Sequence, residues 1–173
     1  MKPKFIDYYM KIAETTAELS YAKRLQVGAV IVKGNQIIGT GYNGMPTGWE
    51  NNCEDKVWDK GAGGWLNPDE IEAMFPYEEY HPQAKSYVRY KLQTKPEVLH
   101  AEMNCLMKVA QSTESSKDAT LFTTTAPCLD CAKAIYQAGI KQVVYKDLYR
   151  SEDGLYFLEK CGVKLTKFAG LDK

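Results

Sequence analysis

No surplus of either charge, no long apolar run and no even set of cysteines is found in this 173-residue chain. Lys plus Arg number 22 and Asp plus Glu number 22, so there is no excess positive field to hold an extended polyanion, and long nucleic acid is not the expected partner. A single nucleotide needs only one or two well-placed cations, so neutrality leaves it open. No stretch approaches membrane-spanning length, and residues 1–10 lack the apolar core of a secretory signal, which predicts a cytoplasmic protein with no membrane partner. The cysteines number 5, an odd count that suits reduced thiols and metal ligation better than a disulfide framework. Repeats and low-complexity tracts are also missing. What remains is ordinary: 45% apolar and 25% charged residues, the usage of a globular protein, at a length that predicts one domain over residues 1–173.

Hydrophobic spacing supplies the elements. Phe5, Tyr9, Ile12, Ala13, Thr16 and Leu19 recur at helical intervals and predict an amphipathic helix over 4–20. Two β-rich runs, 27–32 and 36–40, flank Lys33-Gly34-Asn35 and read as a hairpin. A long aromatic-rich insert follows at about 45–98, with Trp49, Trp58, Trp65, Tyr77, Tyr80, Tyr87 and Tyr90 among its residues. It is too long for a plain connection and should carry elements of its own. Asn67-Pro68-Asp69-Glu70 is a helix start, and Pro82 opens a second expected helix reaching about Leu92. Beyond the insert, helices are predicted over 100–110, 127–138 and 151–160, alternating with strands over 119–124, 141–146 and 163–168. The order predicts an α/β fold, a three-layer α/β/α arrangement around a mixed five-stranded sheet.

The chemistry gathers at His100-Ala101-Glu102 and Pro127-Cys128-Leu129-Asp130-Cys131. His-x-Glu followed downstream by Pro-Cys-x-x-Cys is the known signature of zinc nucleobase deaminases. Cys128 and Cys131 stand three apart at a helix start, so both sulfurs project to one side, and the helix terminus favours thiolate. His100 supplies a third ligand from another helix start. Three protein ligands leave the fourth tetrahedral position to water, the layout of a catalytic zinc. Glu102 lies about 200° from His100 around an ideal helix and therefore sits beside the water instead of on the ion. The expected role follows: Glu102 takes a proton from that water, passes it to N3 of cytosine, and then protonates the departing amine.

Other readings of the same residues stay open. The Cys-x-x-Cys could be a redox pair, or part of a closed structural zinc with Cys161, Cys105, Cys53 or His81 as fourth ligand. Cys105 falls on the apolar side of its helix and reads as core.

With these motifs, Gln26-Val27-Gly28-Ala29, Gly41-Tyr42-Asn43-Gly44 and His100-Ala101-Glu102-Met103-Asn104 stand in an order that resembles the deoxycytidylate (dCMP) deaminase family, within the cytidine deaminase-like superfamily. The resemblance implies deamination of dCMP to dUMP, a homohexamer, activation by dCTP and inhibition by dTTP, with Mg2+ accompanying the effector triphosphate. It also implies that Asn43 contacts the sugar or phosphate, that Tyr149 lies beside the pyrimidine, and that Ala101 touches the substrate. Some relatives carry a second zinc held by cysteines and histidines. This sequence keeps Cys53 but has only His81 outside the catalytic motif, which predicts one zinc per chain. For the phosphate, Lys23 and Arg24 are the first candidates, since a guanidinium fork suits it. The effector is expected at the 44–48 turn, involving Gly44, Met45 and Thr47, where small residues permit backbone approach. Rival readings are another deaminase of the superfamily, acting on cytidine, guanine or tRNA adenosine, and a nucleotide sensor without turnover.

Overall fold

The computed structural model describes residues 1–59 and 67–170. Helix α1 (Pro3–Ala17) opens on a proline and buries Tyr9, Met10, Ala13, Thr16 and Ala17, one face of a regular helix. Strands β1 (Gly28–Lys33) and β2 (Gln36–Tyr42) form the expected hairpin. Gly34 and Asn35 both take positive φ, 55° and 65°, the left-handed pair that a two-residue turn between twisted strands requires.

After the insert come α3 (Ala101–Ala110), β6 (Thr120–Thr125), α4 (Leu129–Gln137), β7 (Gln142–Asp147), α5 (Asp153–Lys160) and β8 (Lys164–Lys167). The body sheet has the order β2-β1-β6-β7-β8. β1 runs antiparallel to β2 and β6, whereas β6, β7 and β8 are parallel, so the sheet is mixed and five-stranded as expected. Register explains the layering. Val30, Phe122 and Val144 align across three strands and pack under α1 with Tyr9, Met10 and Ala13. Their neighbours Ile31, Leu121 and Val143 point the other way, against Cys105, Leu106, Ile135 and Leu158 of α3, α4 and α5. Each fully buried aliphatic or aromatic side chain contributes about 1.5–3 kcal/mol of transfer free energy, and both faces of the central strands collect it. Among the described residues no helix is long and apolar enough to cross a membrane.

The insert departs from expectation. Helix α2 (Pro68–Met74) begins where the sequence predicts, with a reciprocal cap: the Asn67 side chain accepts from the Glu70 amide and the Glu70 carboxylate accepts from the Asn67 amide, both at 2.9 Å. The helix expected from Pro82 is instead a hairpin, β4 (Tyr77–His81) and β5 (Ser86–Thr94), joined by β3 (Glu54–Trp58) into an antiparallel sheet of order β3-β5-β4. Cross-strand aromatic pairing overrides the proline signal. Tyr77 faces Tyr90 with rings 5.4 Å apart, and Tyr80 faces Tyr87 at 5.8 Å. Pro82 lies in the turn, which Lys85 closes at φ 50° while His81 Nδ1 accepts from the Ala84 amide. Strand β3 has no counterpart among the elements expected from the sequence, and Trp65 lies outside the described residues.

The insert joins the body at a small apolar cluster of Ala22, Cys53 and Val98, with Met45 against it. The Lys95 amide donates to the Cys53 carbonyl at 2.9 Å. All five cysteines are free thiols.

Candidate active site

Two helix starts meet at the chemistry. His100 is the N-cap of α3 and Cys128 the N-cap of α4, both with extended backbone. Cys131 follows in the first turn of α4. His100 Nδ1 lies 3.5 Å from Cys128 Sγ and 3.4 Å from Cys131 Sγ, and one ligand atom from each of the three falls within 4.8 Å of the others. Among the described residues the group comprises these three. Cys105 is core, Cys53 belongs to the apolar cluster, and His81 packs its ring on Trp58 at 4.7 Å. The donor set of two sulfurs and one imidazole, spaced for a single ion with one position left over, fits a catalytic zinc.

Because His100 precedes the helix, the angle expected between it and Glu102 on a regular turn does not apply; the residues are separated by the bend at the N-cap. Glu102 is nevertheless set beside His100, Cys128 and Cys131, with its carboxyl group against the Cys131 thiol. Only 4% of it is exposed. Burial pushes its carboxyl up to about 7, so it can both accept and return a proton near neutral pH. Hydrogen bonding from Cys131 brings the Cys128 thiol down to about 4, with His100 adding to the effect. The same contact pushes Cys131 up, and hydrogen bonding to Cys128 raises His100.

Glycine makes this placement possible. A Cβ on Gly41 would lie 2.4 Å from the Ala101 carbonyl oxygen and 2.5 Å from the Cys105 amide, so only glycine lets α3 lie directly on β2. Asn104 fixes the contact by donating to the Tyr42 carbonyl at 2.9 Å. A Cβ on Gly154 would lie 2.1 Å from the Pro127 carbonyl oxygen, so α5 supports the cysteine turn from behind.

The site opens into a cleft of about 810 Å³. Its lining includes His100, Ala101, Glu102 and Cys128, together with Arg24, Asn43 and Tyr149 from the sequence analysis. Asn43 has already committed much of its amide: its oxygen accepts from Val27 at 2.7 Å and its nitrogen donates to the Leu25 carbonyl at 2.9 Å. One N–H is left for the cleft. Arg24 donates to Thr94 Oγ1 at 3.0 Å. Lys23 is exposed and is not part of the lining. Gly44, Met45 and Thr47 also lie off the cleft, although Gly44 pairs through two backbone hydrogen bonds with Leu99, the residue before His100.

Sequence reasoning missed Glu54, Lys91 and Lys95 from the insert, and Arg150, whose guanidinium lies 5.3 Å from the Tyr149 ring centroid. One available signal was topological. The Cys128 turn and the 148–150 loop both leave the C-terminal ends of parallel strands, the edge where α/β sheets gather ligands.

Residues 3–147 match the family described as "Cytidine and deoxycytidylate deaminase zinc-binding region". The chain belongs to that family. It is a deaminase of the cytidine deaminase-like superfamily, and the His100, Cys128 and Cys131 group, which could hold one metal ion, fits a zinc-binding family. It is 34% identical to the deoxycytidylate deaminase of Enterobacteria phage T4 over 154 residues, 81% of this chain and 76% of that one. Against the Homo sapiens deoxycytidylate deaminase it is 33% identical over 170 residues, 94% and 78% of the two chains. The dCMP deaminase of cyanophage S-TIM5, solved in complex with dCMP and dUMP, superposes with a TM-score of 0.72 at 37% identity, covering 97% of this chain and 99% of that one.

Proposed function

We propose that the chain, acting as one catalytic unit over residues 1–173, hydrolyses dCMP to dUMP and ammonia. The observation that carries the reading is the His100, Cys128 and Cys131 group with Glu102 at the foot of a cleft whose other charges are mainly cationic. Arg24, Lys91, Lys95 and Arg150 line it against Glu54 and Glu102, a balance that suits one phosphate. Its likeness along 97% of the chain to an enzyme described with dCMP and dUMP supports the same substrate.

One zinc per chain, held by His100, Cys128 and Cys131, would when bound supply a Lewis acid that acidifies water. The remaining work falls to the protein. Glu102, buried and held near neutrality, accepts a proton from the attacking water and delivers it to N3, which makes C4 electrophilic. The water oxygen bonds to C4. Glu102 then moves the second proton to the exocyclic amine, the C4–N bond breaks, and ammonia leaves. Ala101 forms the cleft wall between the two functional side chains, and Tyr149 offers a flat face to the pyrimidine. The spare Asn43 N–H meets the sugar or phosphate, and Arg24, with Lys23 beside it, meets the phosphate.

Regulation by dCTP and dTTP, with Mg2+ on the triphosphate, is assigned to the 44–48 turn. Its support is the Gly44 to Leu99 bridge, which joins that turn to the residue before the zinc-binding histidine. Assembly as a homohexamer and residence in the cytoplasm complete the proposal. The test is to incubate the purified protein separately with dCMP, cytidine and dCTP, follow loss of cytosine absorbance, and repeat the dCMP reaction with dCTP or dTTP added. Turnover selective for dCMP is expected; preference for cytidine, or nucleotide binding without ammonia release, would replace this reading.

A further inference from the structure

The loop over 20–27 forms one wall of the cleft and is held from two sides. From the body, Asn43 grips the backbone of Leu25 and Val27. From the insert, Glu54 Oε1 accepts from the amides of both Lys23, at 3.0 Å, and Arg24, at 3.2 Å.

The insert also holds the other end of Arg24. Its guanidinium donates to Thr94 Oγ1 at 3.0 Å, and Thr94 on β5 is the direct cross-strand partner of Glu54 on β3. A single residue pair of the insert sheet therefore fixes Arg24 by its backbone and by its charged head. Cys53, next to Glu54, packs against Ala22 and Val98, which ties the same point to the body.

Plain stability does not account for a carboxylate here. Glu54 is 5% exposed, and its Oε2 is buried with no hydrogen-bond partner among the described residues. Burying a carboxyl group and leaving one of its two oxygens without a partner among the described residues is an unfavourable way to cap two amides. The arrangement makes sense if the position of Arg24 matters.

We infer that Glu54 is a positioning residue for the substrate's phosphate, acting through Arg24, with Thr94 as its accessory. The inference rests on the nucleotide reading of the cleft given above. The long insert thereby acquires a definite role, because its paired strands β3 and β5 set a body residue in place at the cleft wall.

The experiment is a double-mutant cycle on the metal-loaded protein, with zinc content and thermal midpoint recorded for every variant. Glu54→Ala is expected to raise KM for dCMP by about tenfold, the range of one charge-assisted contact, with kcat changed less than about threefold. Glu54→Gln keeps an oxygen for the two amides and should restore KM to within about threefold of wild type. Arg24→Ala should raise KM as Glu54→Ala does, and the double variant should rise no further. Thr94→Val should give the same kind of change at smaller size. Additive losses, a fall in kcat at unchanged KM, or Glu54→Gln as impaired as Glu54→Ala would overturn the inference. Binding of inorganic phosphate, followed by 31P line broadening, separates the two claims. If wild type does not turn over dCMP the proposed substrate fails, while weaker phosphate binding in Glu54→Ala still supports the positioning role and equal binding removes it.

Discussion

The two sheets of this molecule are built on different terms. In the body, β1, β6 and β7 bury side chains on both faces, between α1 on one side and α3, α4 and α5 on the other. In the insert, Glu54 is the one buried residue among β3, β4 and β5, and α2 buries none. The body is stabilised by its own interior. The insert sheet is held by cross-strand aromatic pairs and by attachments at its edge, where Cys53 packs with Ala22 and Glu54 accepts from the Lys23 and Arg24 amides. His100, Cys128, Cys131 and Glu102 all come from the first kind of structure, which can fix atoms closely. The insert supplies cleft-lining cations and the grip on Arg24, which is a matter of orientation.

The sharpest way to break this contrast is at the ligands. Cys131→Ala should abolish zinc retention and lower deamination by at least about a thousandfold, since removing the Lewis acid removes the acidified water; metal analysis beside an ammonia assay checks both. Next in size is the body core. Phe122→Ala, at a site with no measurable exposure and aligned with Val30 and Val144, should cost about 3–5 kcal/mol in chemical denaturation. The matched insert substitution, Tyr80→Ala, removes a half-exposed ring paired with Tyr87 and should cost about 1 kcal/mol or less. Equal costs would erase the distinction between the sheets.

A smaller effect sharpens the view of Glu102. In metal-free protein burial holds its carboxyl at about 7 against an ordinary 4.5. A carboxyl raised on folding means that the folded state binds the extra proton, so stability falls as pH rises from about 4.5 through about 7. Glu102→Gln removes that dependence, and thermal midpoints of the two metal-free proteins across this window should converge at the acidic end. The smallest change belongs to the surface pair Lys146 and Glu14, 2.8 Å apart and partly exposed; Lys146→Ala should alter stability by about 0.5 kcal/mol or less.

The same contrast explains what was legible in the sequence. Body strands such as Val30-Ile31-Val32 and Leu121-Phe122 are short apolar runs buried on both faces, and their helices carry apolar stripes, so periodicity reports them directly. The grouping of His100, Cys128 and Cys131 was readable because metal ligation demands particular atoms at close spacing, and the structure brings those three together. Strands β4 and β5 carry Tyr, Arg, Lys and Glu on a largely exposed surface, where alternation is weak and Pro82 imitates a helix start. Their pairing becomes visible only when Tyr77 meets Tyr90 and Tyr80 meets Tyr87. Glu54 was invisible for a related reason: an acidic residue in a polar stretch reads as surface until the chain brings the 20–27 loop over it. Lys23 looked equivalent to Arg24 in sequence, yet only Arg24 lines the cleft.

The most direct measurement pairs zinc content with ammonia release from dCMP for wild type and Glu102→Gln. Both proteins should hold about one zinc per chain, and the variant should lose on the order of a hundredfold or more in kcat, as removal of an acid–base group requires. A zinc-loaded Glu102→Gln protein that turns over dCMP at the wild-type rate would contradict the assignment of Glu102 as the proton carrier.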